Sequence, residues 1–376
     1  MSKAASCGAT STSPVIDRVD VHILRVPLKR PYRLAFGDLQ AFDTLLVEVT
    51  STDGRSGFGE ATLLTGYTHE TIDGAWSLAR RWADSSVGDS VEALAARTER
   101  ATEASPFVAT AFLTALEMLT ASDSLSFAEP VSVPLLALLN SIEEDAIAEE
   151  FESLLDDGYR TIKVKVGLAG LDDLTRVRAI QRVVAGRARI RIDANQAFSA
   201  DRAVEFLTAL EPPDIELFEQ PCAADDWNAH AAAVRASPVP LMLDESIFSL
   251  VDIDRAADEV LAAFVKVKLV KFCSVASVTG AIKRIRERGM QPVLGNGVAC
   301  DVGCWIEACV AARHIDNAGE MNGYLKTCVP LLANPPRFEA GAIWLPANYR
   351  PALDREAIRD TTVATHSSRR ALHRIG

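Results

Sequence analysis

Three acidic residues stand at nearly equal intervals in this chain, each closing an apolar run. They are Asp193 in Arg-Ile-Asp-Ala-Asn-Gln, Glu219 in Leu-Phe-Glu-Gln-Pro and Asp244 in Leu-Met-Leu-Asp-Glu-Ser, 26 and 25 residues apart. A carboxylate in an apolar strand is costly to bury without a partner. A cap or a salt bridge accounts for any one of them; three in step point to a shared partner at equivalent heights on adjacent strands. Three oxygen donors, with room for water and substrate oxygens, suit a hard divalent ion: Mg2+, with Mn2+ as a possible substitute.

Two lysine pairs flank the acids. Thr161-Ile-Lys-Val-Lys-Val-Gly167 and Phe264-Val-Lys-Val-Lys-Leu-Val-Lys271 each place two lysines two residues apart. On a strand that spacing sends Lys163 and Lys165 to one face, and Lys266 and Lys268 likewise. A solvated strand is the plain alternative, but Ile162, Val164, Val265 and Val267 between and beside them are all apolar. Amines on both sides of a cation-bound carboxylate fit one difficult reaction, removal of the proton next to that carboxylate. An unaided base cannot take it; a divalent ion stabilises the developing enediolate. Lysine becomes a base when nearby positive charge lowers its pKa. In this reading Lys165 is the base, and Lys163 lowers its pKa and contacts the substrate carboxylate. Lys268 is the acid or base on the other face. Lys266 and Lys271 carry no assigned role.

Side chains so placed need a repeating frame. Strand-like apolar segments begin near Val133, Thr161, Ile190, Ile215, Pro240, Phe264, Pro292 and Gly319. Helical periodicity lies between them, as in Asp145 to Asp156, Asp172 to Val184, Ala200 to Leu210 and Val275 to Arg288. One strand and one helix about every 25 to 30 residues is the βα unit of a parallel barrel, whose active sites sit at the C-terminal ends of the strands. Strands two and six then face each other across the interior, with the acids of strands three to five between. A doubly wound sheet is the rival; eight strand candidates and no Gly-rich phosphate loop favour closure. Upstream, Ile16 to Pro27 and Thr44 to Thr50 alternate like strands, and Glu70 to Ala83 and Ser90 to Leu119 read as helical. The expected organisation is a disordered start (1–14), an α+β capping domain (15–130) and the barrel (131–345). A C-terminal segment (346–376) then returns to the capping domain; it shows no clear pattern, and its His-Ser-Ser-Arg-Arg end is expected to be mobile.

The bulk composition excludes other classes. With 376 residues, 48% of them apolar, the chain can fill a large core. A net charge of −12 argues against nucleic acid as a partner. The opening residues lack the apolar core of a signal peptide, and no run of about 18 apolar residues spans a bilayer. A cytoplasmic protein with no membrane partner is expected, its seven cysteines reduced and those at 300, 304 and 309 used for packing. Scattered histidines, with no HExxH and no GxSxG, disfavour a zinc protease or a Ser-His-Asp hydrolase.

At these motifs the chain resembles the enolase superfamily, and within it the muconate-lactonizing-enzyme subgroup. Lys163-x-Lys165, Asp193-Ala-Asn195, Glu219-Gln-Pro221, Asp244-Glu-Ser246 and Lys268 follow in the subgroup's order, with Gly57-Phe-Gly-Glu-Ala61 in the capping region. The resemblance implies an α/β fold, a modified TIM barrel, (β/α)7β, under an N-terminal α+β capping domain. It also implies one essential Mg2+, a small carboxylate substrate, an enediolate intermediate and an even-numbered homo-oligomer. The loop through Phe36 and Gly37 and the segment around Tyr67 are expected to close over the substrate, with Asn195, Asp301, Glu320 and Asn322 as further contacts. Four departures stand out. Phe272-Cys-Ser274 follow Lys271 where the subgroup usually shows a glycine pair; Ala299 stands where many members carry glutamate, with Asp301 two residues on. Lys266 occupies a common asparagine position, and Glu320-Met-Asn322 replaces the Asp-x-Asp with which dipeptide epimerases hold an ammonium group. Lysines on both faces favour racemisation or epimerisation of an amino-acid derivative or related α-substituted acid. Dehydration or muconate-type cycloisomerisation by the same enediolate is the alternative. A non-catalytic barrel is the third reading, disfavoured by intact lysines and acids.

Overall fold

The computed structural model describes residues 13–34, 37–65, 67–120, 123–167 and 172–371. Phe36, residues 1–12 of the expected disordered start and the last five residues lie outside the described residues.

Alternating β-branched residues draw the N-terminal segment into antiparallel strands: β1 (Ile16–Leu34), β2 (Gly37–Ser51) and β3 (Ser56–Thr62). Three helices follow, α1 (Ile72–Ser86), α2 (Val91–Glu99) and α3 (Pro106–Leu119). The single helical stretch expected over Ser90 to Leu119 is therefore two helices. Pro106 opens the second, and Ser105 before it is non-helical (φ −148°, ψ 65°), as a residue preceding proline is pushed to be. Being apolar on almost every side, α3 is buried between the sheet and the barrel. It approaches β3 so closely that a Cβ on Gly57 would lie 2.2 Å from Ala115 O, and one on Gly59 2.1 Å from Thr114 Oγ1.

After β4 (Val131–Pro134) and β5 (Ala137–Leu138) the chain alternates helix and strand. The order is α4 (Glu144–Asp156), β6 (Thr161–Lys165), α5 (Asp173–Val184), β7 (Arg189–Asp193), α6 (Ala200–Ala209), β8 (Ile215–Glu219), α7 (Trp227–Ala236) and β9 (Leu241–Leu243). Then come α8 (Leu250–Asp258), β10 (Phe264–Val267), the short α9 (Leu269–Phe272), α10 (Val275–Glu287), β11 (Gln291–Leu294) and α11 (Asp301–His314). Strands β5 to β11 form one parallel sheet in chain order, as the barrel reading requires.

Two strand expectations change. The segment near Val133 is β4, which pairs antiparallel with β13 (Ala342–Leu345) beside β12 (Arg337–Glu339) in a separate three-stranded sheet. The barrel's first strand is the two-residue β5. No eighth strand forms at Gly319. Instead Gly319 and Glu320 bond to both edges of the sheet: Glu320 N donates to Leu294 O (3.1 Å), Gly319 N to Pro134 O (2.9 Å), and Leu136 N to Gly319 O (2.9 Å). Gly295 allows that approach; its φ is 132°, and a Cβ there would lie 2.5 Å from Glu320 N.

The His-Ser-Ser-Arg-Arg segment, expected to be mobile, is held in a sheet. After α12 (Arg355–Thr361), β14 (Thr362–Arg369) pairs antiparallel with β1 and forms an edge of the cap sheet. Its inward residues (Thr362, Ala364, His366, Ser368) are no more apolar than its outward ones (Val363, Thr365, Ser367, Arg369), so hydropathy does not reveal the alternation. One apolar cluster runs continuously from the cap sheet through α3 into α10 and α11, and a second lies under α4 to α7. The cysteines at 300, 304 and 309 are free and buried, in packing roles. Among the described residues no helix is long and apolar enough to cross a membrane.

The close approach of α3 to β3 sets a stability test. Gly59→Val is expected to cost about 1–3 kcal/mol through overpacking, read as a lowered urea midpoint with an unchanged slope. An unaltered midpoint would show that α3 can retreat freely.

Candidate active site

Strand register places the ionic residues at one end of the barrel. Lys165 pairs with Asp193 across β6 and β7, and Asp193 with Glu219 across β7 and β8. Asp244 is two residues further along, since Met242 stands opposite Glu219. The expectation of equal heights thus holds for Asp193 and Glu219, while Asp244 keeps the inward parity but sits higher, as the stagger of barrel strands produces. Beyond β7 and β8 the chain turns through left-handed conformations at Asn195 (φ 41°), Gln196 (φ 67°) and Gln220 (φ 37°). Non-glycine residues adopt these only when surrounding bonds hold them. Asn195 N donates to Asp193 Oδ1 (2.8 Å), and Gln196 N to Gln220 O (2.9 Å).

The carboxylates and amines form one buried lattice. Lys163 Nζ lies 2.7 Å from Asp193 Oδ2, 2.8 Å from Glu219 Oε2 and 3.2 Å from Glu320 Oε2. Lys266 Nζ is 3.1 Å from Glu219 Oε1 and also pairs with Glu320. On the other side Lys268 Nζ is 2.8 Å and Lys271 Nζ 2.7 Å from the two oxygens of Asp244. Lys268 also donates to Tyr67 Oη (3.2 Å). Burial draws the Lys268 and Lys163 ammonium groups down, but facing carboxylates outweigh it and raise both well above the ordinary lysine value. Lys165 differs. It makes no ion pair with the described residues, and burial, with help from Lys163 and against Asp193, lowers its pKa. Burial and the charge of Asp193 push Glu219 up to about 7. Asp244 is held well below the carboxylate range by Lys268, Lys271 and Lys266, which overcome its burial.

These groups open on a cavity of roughly 310 Å3. Lys163, Lys165, Asp193, Asp244, Lys266 and Lys268 line its floor, and Tyr32, Leu64, Tyr67, Phe248 and Val298 its walls. Of the expected substrate contacts, Asn195, Tyr67 and Glu320 line it too. Asp301 and Asn322 do not. Asp301 caps a loop, accepting from Leu331 N (3.0 Å) and Leu332 N (2.9 Å), because it opens α11 on the side facing that loop. Asn322 bonds Leu136 O (3.1 Å) and Lys326 Nζ (3.0 Å). Glu219 lies beneath the floor, behind Lys163 and Lys266. The sequence reading did not single out Tyr32, Glu245, Phe248 or Lys326. Glu245 stood inside a quoted motif, whereas nothing local marks Tyr32 or Lys326.

A sequence model of the family described as "Enolase C-terminal domain-like" matches residues 146–351. The chain belongs to the enolase superfamily. It is 25% identical over 350 residues to a D-Ala-D/L-Ala epimerase of Cytophaga hutchinsonii, covering 88% of this chain and 91% of that one. A dipeptide epimerase from the same organism, solved with Mg and D-Ala-L-Val, superposes with a TM-score of 0.83 at 21% identity, covering 94% of this chain and 99% of the other. A muconate lactonizing enzyme from Pseudomonas fluorescens, solved with muconolactone, gives 0.83 at 24% identity, covering 93% and 100%. These relatives are enzymes, and the architecture of cap and barrel is theirs.

In this superfamily enzyme the donor set fits a hard divalent ion. All three acids offer oxygen only, and Glu219 feels the charge of both Asp193 and Asp244. Asp193 Oδ2 and Glu219 Oε2 are buried and turned toward the Lys163 ammonium, at 2.7 and 2.8 Å, so each still has lone-pair capacity for a cation. As they stand, amines lie between the acids, and among the described residues no three acidic, histidine or cysteine side chains are drawn together for coordination.

The Gln of Glu-Gln-Pro explains how two of these acids keep their places. Gln220 is fully buried; its Oε1 accepts from Asp244 N (2.9 Å) and Ser246 N (3.3 Å), and its Nε2 donates to Ser246 Oγ (2.7 Å) and Cys222 O (3.1 Å). It clamps the end of β8 to the end of β9. Gln220→Leu is expected to leave buried amides unpaired at about 1–3 kcal/mol, seen as a lower urea midpoint. A variant as stable as the parent would mean that the clamp is dispensable.

Proposed function

We propose that this enzyme removes and returns the proton next to a substrate carboxylate, racemising or epimerising an amino-acid derivative or a related α-substituted acid. The observation that carries the reading is the unequal treatment of two lysines on one cavity. Lys165 makes no ion pair with the described residues and burial lowers its pKa; Lys268, held against Asp244, has its pKa raised. With the α-carbon between them, Lys165 takes the proton from one face and Lys268 delivers one to the other; in the reverse direction the roles exchange. Lys163 adds positive charge beside Lys165 and toward the substrate carboxylate. Asp193, Glu219 and Asp244 would hold Mg2+, which when bound supplies positive charge to the carboxylate oxygens where negative charge develops. Tyr67 and Leu64 from the cap exclude water over the reacting carbon. The epimerase relatives support this direction of chemistry.

The test is α-hydrogen exchange in D2O with Mg2+, followed by proton NMR and polarimetry on N-acyl amino acids, proline derivatives and dipeptides. Exchange with loss of optical activity is expected. A new double bond or lactone would replace the reading with elimination or cycloisomerisation, and no exchange with any compound would end it. Lys165→Ala should lower turnover about 10²–10⁴-fold with the fold kept. Lys268→Ala should leave exchange on the one enantiomer whose α-hydrogen faces Lys165. Because Lys165 acts unprotonated and its pKa is lowered, the rising limb of kcat/KM should fall below the free-lysine range of about 10.4.

Metal dependence has its own measurement. Calorimetric titration should show Mg2+ binding, with Mn2+ a substitute, and a raised Tm on loading. Asp193→Asn should weaken that binding at least about tenfold, because one of three anionic donors is lost. A flat titration of the parent protein would remove the ion from the scheme.

A further inference from the structure

The two lysines on the cavity are anchored to the barrel in different ways. Lys165 is the last residue of β6 and pairs with Asp193 of β7. Its carbonyl also accepts from Arg176 Nη1 (2.9 Å), whose other nitrogens bond Leu139 O (3.1 Å) and Ser141 O (3.0 Å). Lys268 lies beyond its strand. β10 ends at Val267; its pairing with β9 stops at Val265, and its pairing with β11 stops at Val267 opposite Leu294. One further bond, Gly295 N to Val267 O (3.2 Å), closes that edge. After it one chain runs into α9, the other into the cavity loop of Asn296, Gly297 and Val298.

Past that point a single side chain joins them. Glu307 of α11 accepts from Leu269 N (3.0 Å) at Oε1 and from Asn296 N (3.2 Å) at Oε2. Leu269 directly follows Lys268, so the carboxylate holds the main chain next to that lysine. A helix cap is the plain alternative, since Leu269 N is the first amide of α9. A cap needs one oxygen; here the second reaches a separate segment of chain. The position is also a costly one for an acid. Glu307 is the only charged residue of α11 between Asp301 and Arg313, and it is 2% exposed. Burial pushes its pKa up to about 7, against the pull of the two amides and of Lys268 and Lys266. An apolar side chain would fill an interior helix position without that penalty. What the acid supplies is the tie between two chain ends.

The tip of the Lys268 side chain is fixed by Asp244 (2.8 Å) and Tyr67 Oη (3.2 Å). Those contacts fix the ammonium only as well as the main chain is fixed, because the stem is a flexible four-carbon chain. We infer that Glu307 is a positioning residue for Lys268, acting through the amides of Leu269 and Asn296. This rests on the proposed function in taking Lys268 as the acid or base on one face of the substrate. β7 and Arg176 hold Lys165 instead, so loss of Glu307 disturbs one face and spares the other.

The experiment uses the full chain with Mg2+ in D2O and each pure enantiomer of a compound whose α-hydrogen the parent exchanges. Lys268→Ala first identifies the enantiomer that faces Lys268, as the one whose exchange it abolishes. Glu307→Leu removes both acceptor oxygens at similar volume. Glu307→Gln keeps one, and serves if the leucine variant does not fold by circular dichroism. In either variant, exchange of the enantiomer facing Lys268 is expected to fall about 10–100-fold, the scale of a displacement of about 1 Å. The glutamine variant should lose less than the leucine variant. Exchange of the other enantiomer, without inversion, should stay near the parent rate, while racemisation falls in both directions because it needs both lysines. A merely structural role would slow both faces together. Parallel losses on the two faces, or parent rates on both, would overturn the positioning role. The two readings fail separately. If the parent exchanges no α-hydrogen with any compound, the proposed function falls and a crystal structure of the variant decides the positioning. An ammonium of Lys268 displaced from Asp244 would support it, and an unmoved ion pair would overturn it. If exchange occurs and both faces respond alike, the positioning alone falls.

Discussion

The contact of the Lys163 ammonium with Asp193 and Glu219 is the constraint on which the rest of the catalytic end depends. Deep in a barrel, two carboxylates side by side persist only with positive charge against them. Lys163 and Lys266 provide it, and are thereby held charged. Lys165, two residues further along the same strand, is left without an acid of its own. Lys268 takes Asp244 instead. Two chemically identical amines therefore face one cavity with opposite leanings, one toward the free base and one toward the ammonium. A reaction that takes a proton from one face and returns one to the other starts with one amine free and the other protonated, and these leanings follow from which acids the neighbours have already claimed.

The frame holds these distances by polar bonds as much as by apolar packing. Gln220 ties two strand ends together, and Gly295 lets the chain at Glu320 close the sheet. The cap is equally part of the site. Its Gly57-Phe-Gly-Glu-Ala61 segment uses glycines to seat α3 on one side, while on the other Glu60 accepts from Cys300 N (2.5 Å) in the barrel. That carboxyl is pushed up to about 8 by burial. With one apolar cluster spanning both parts, Tyr32, Leu64 and Tyr67 are carried to the cavity by the cap.

How much of this was legible in the sequence follows from the range of each interaction. The βα rhythm, the inward parity of the lysine pairs and the three acids were readable because period and charge within a few residues report them. The eighth barrel position was misread as a strand because three backbone bonds do its work without a strand's pattern. β14 escaped notice because its partner β1 lies at the far end of the chain and its residues are polar. Asp301 looked like a substrate contact by position, yet its side chain turns to the amides of 331 and 332, a choice set by a loop that no local signal describes. Tyr32 and Lys326 meet only in three dimensions.

Two of the places where this chain departs from its family's pattern are in contact with each other. Lys266, at a common asparagine position, pairs with Glu320, and Asn322, two residues on, accepts from Lys326. Adding a lysine beside Glu320 takes that carboxylate away from any incoming cation. Replacing the next acid by an amide turns an anionic pair into a holder for an ammonium of the protein's own. Together the two changes leave each amine with a partner, Glu320 for Lys266 and Asn322 for Lys326.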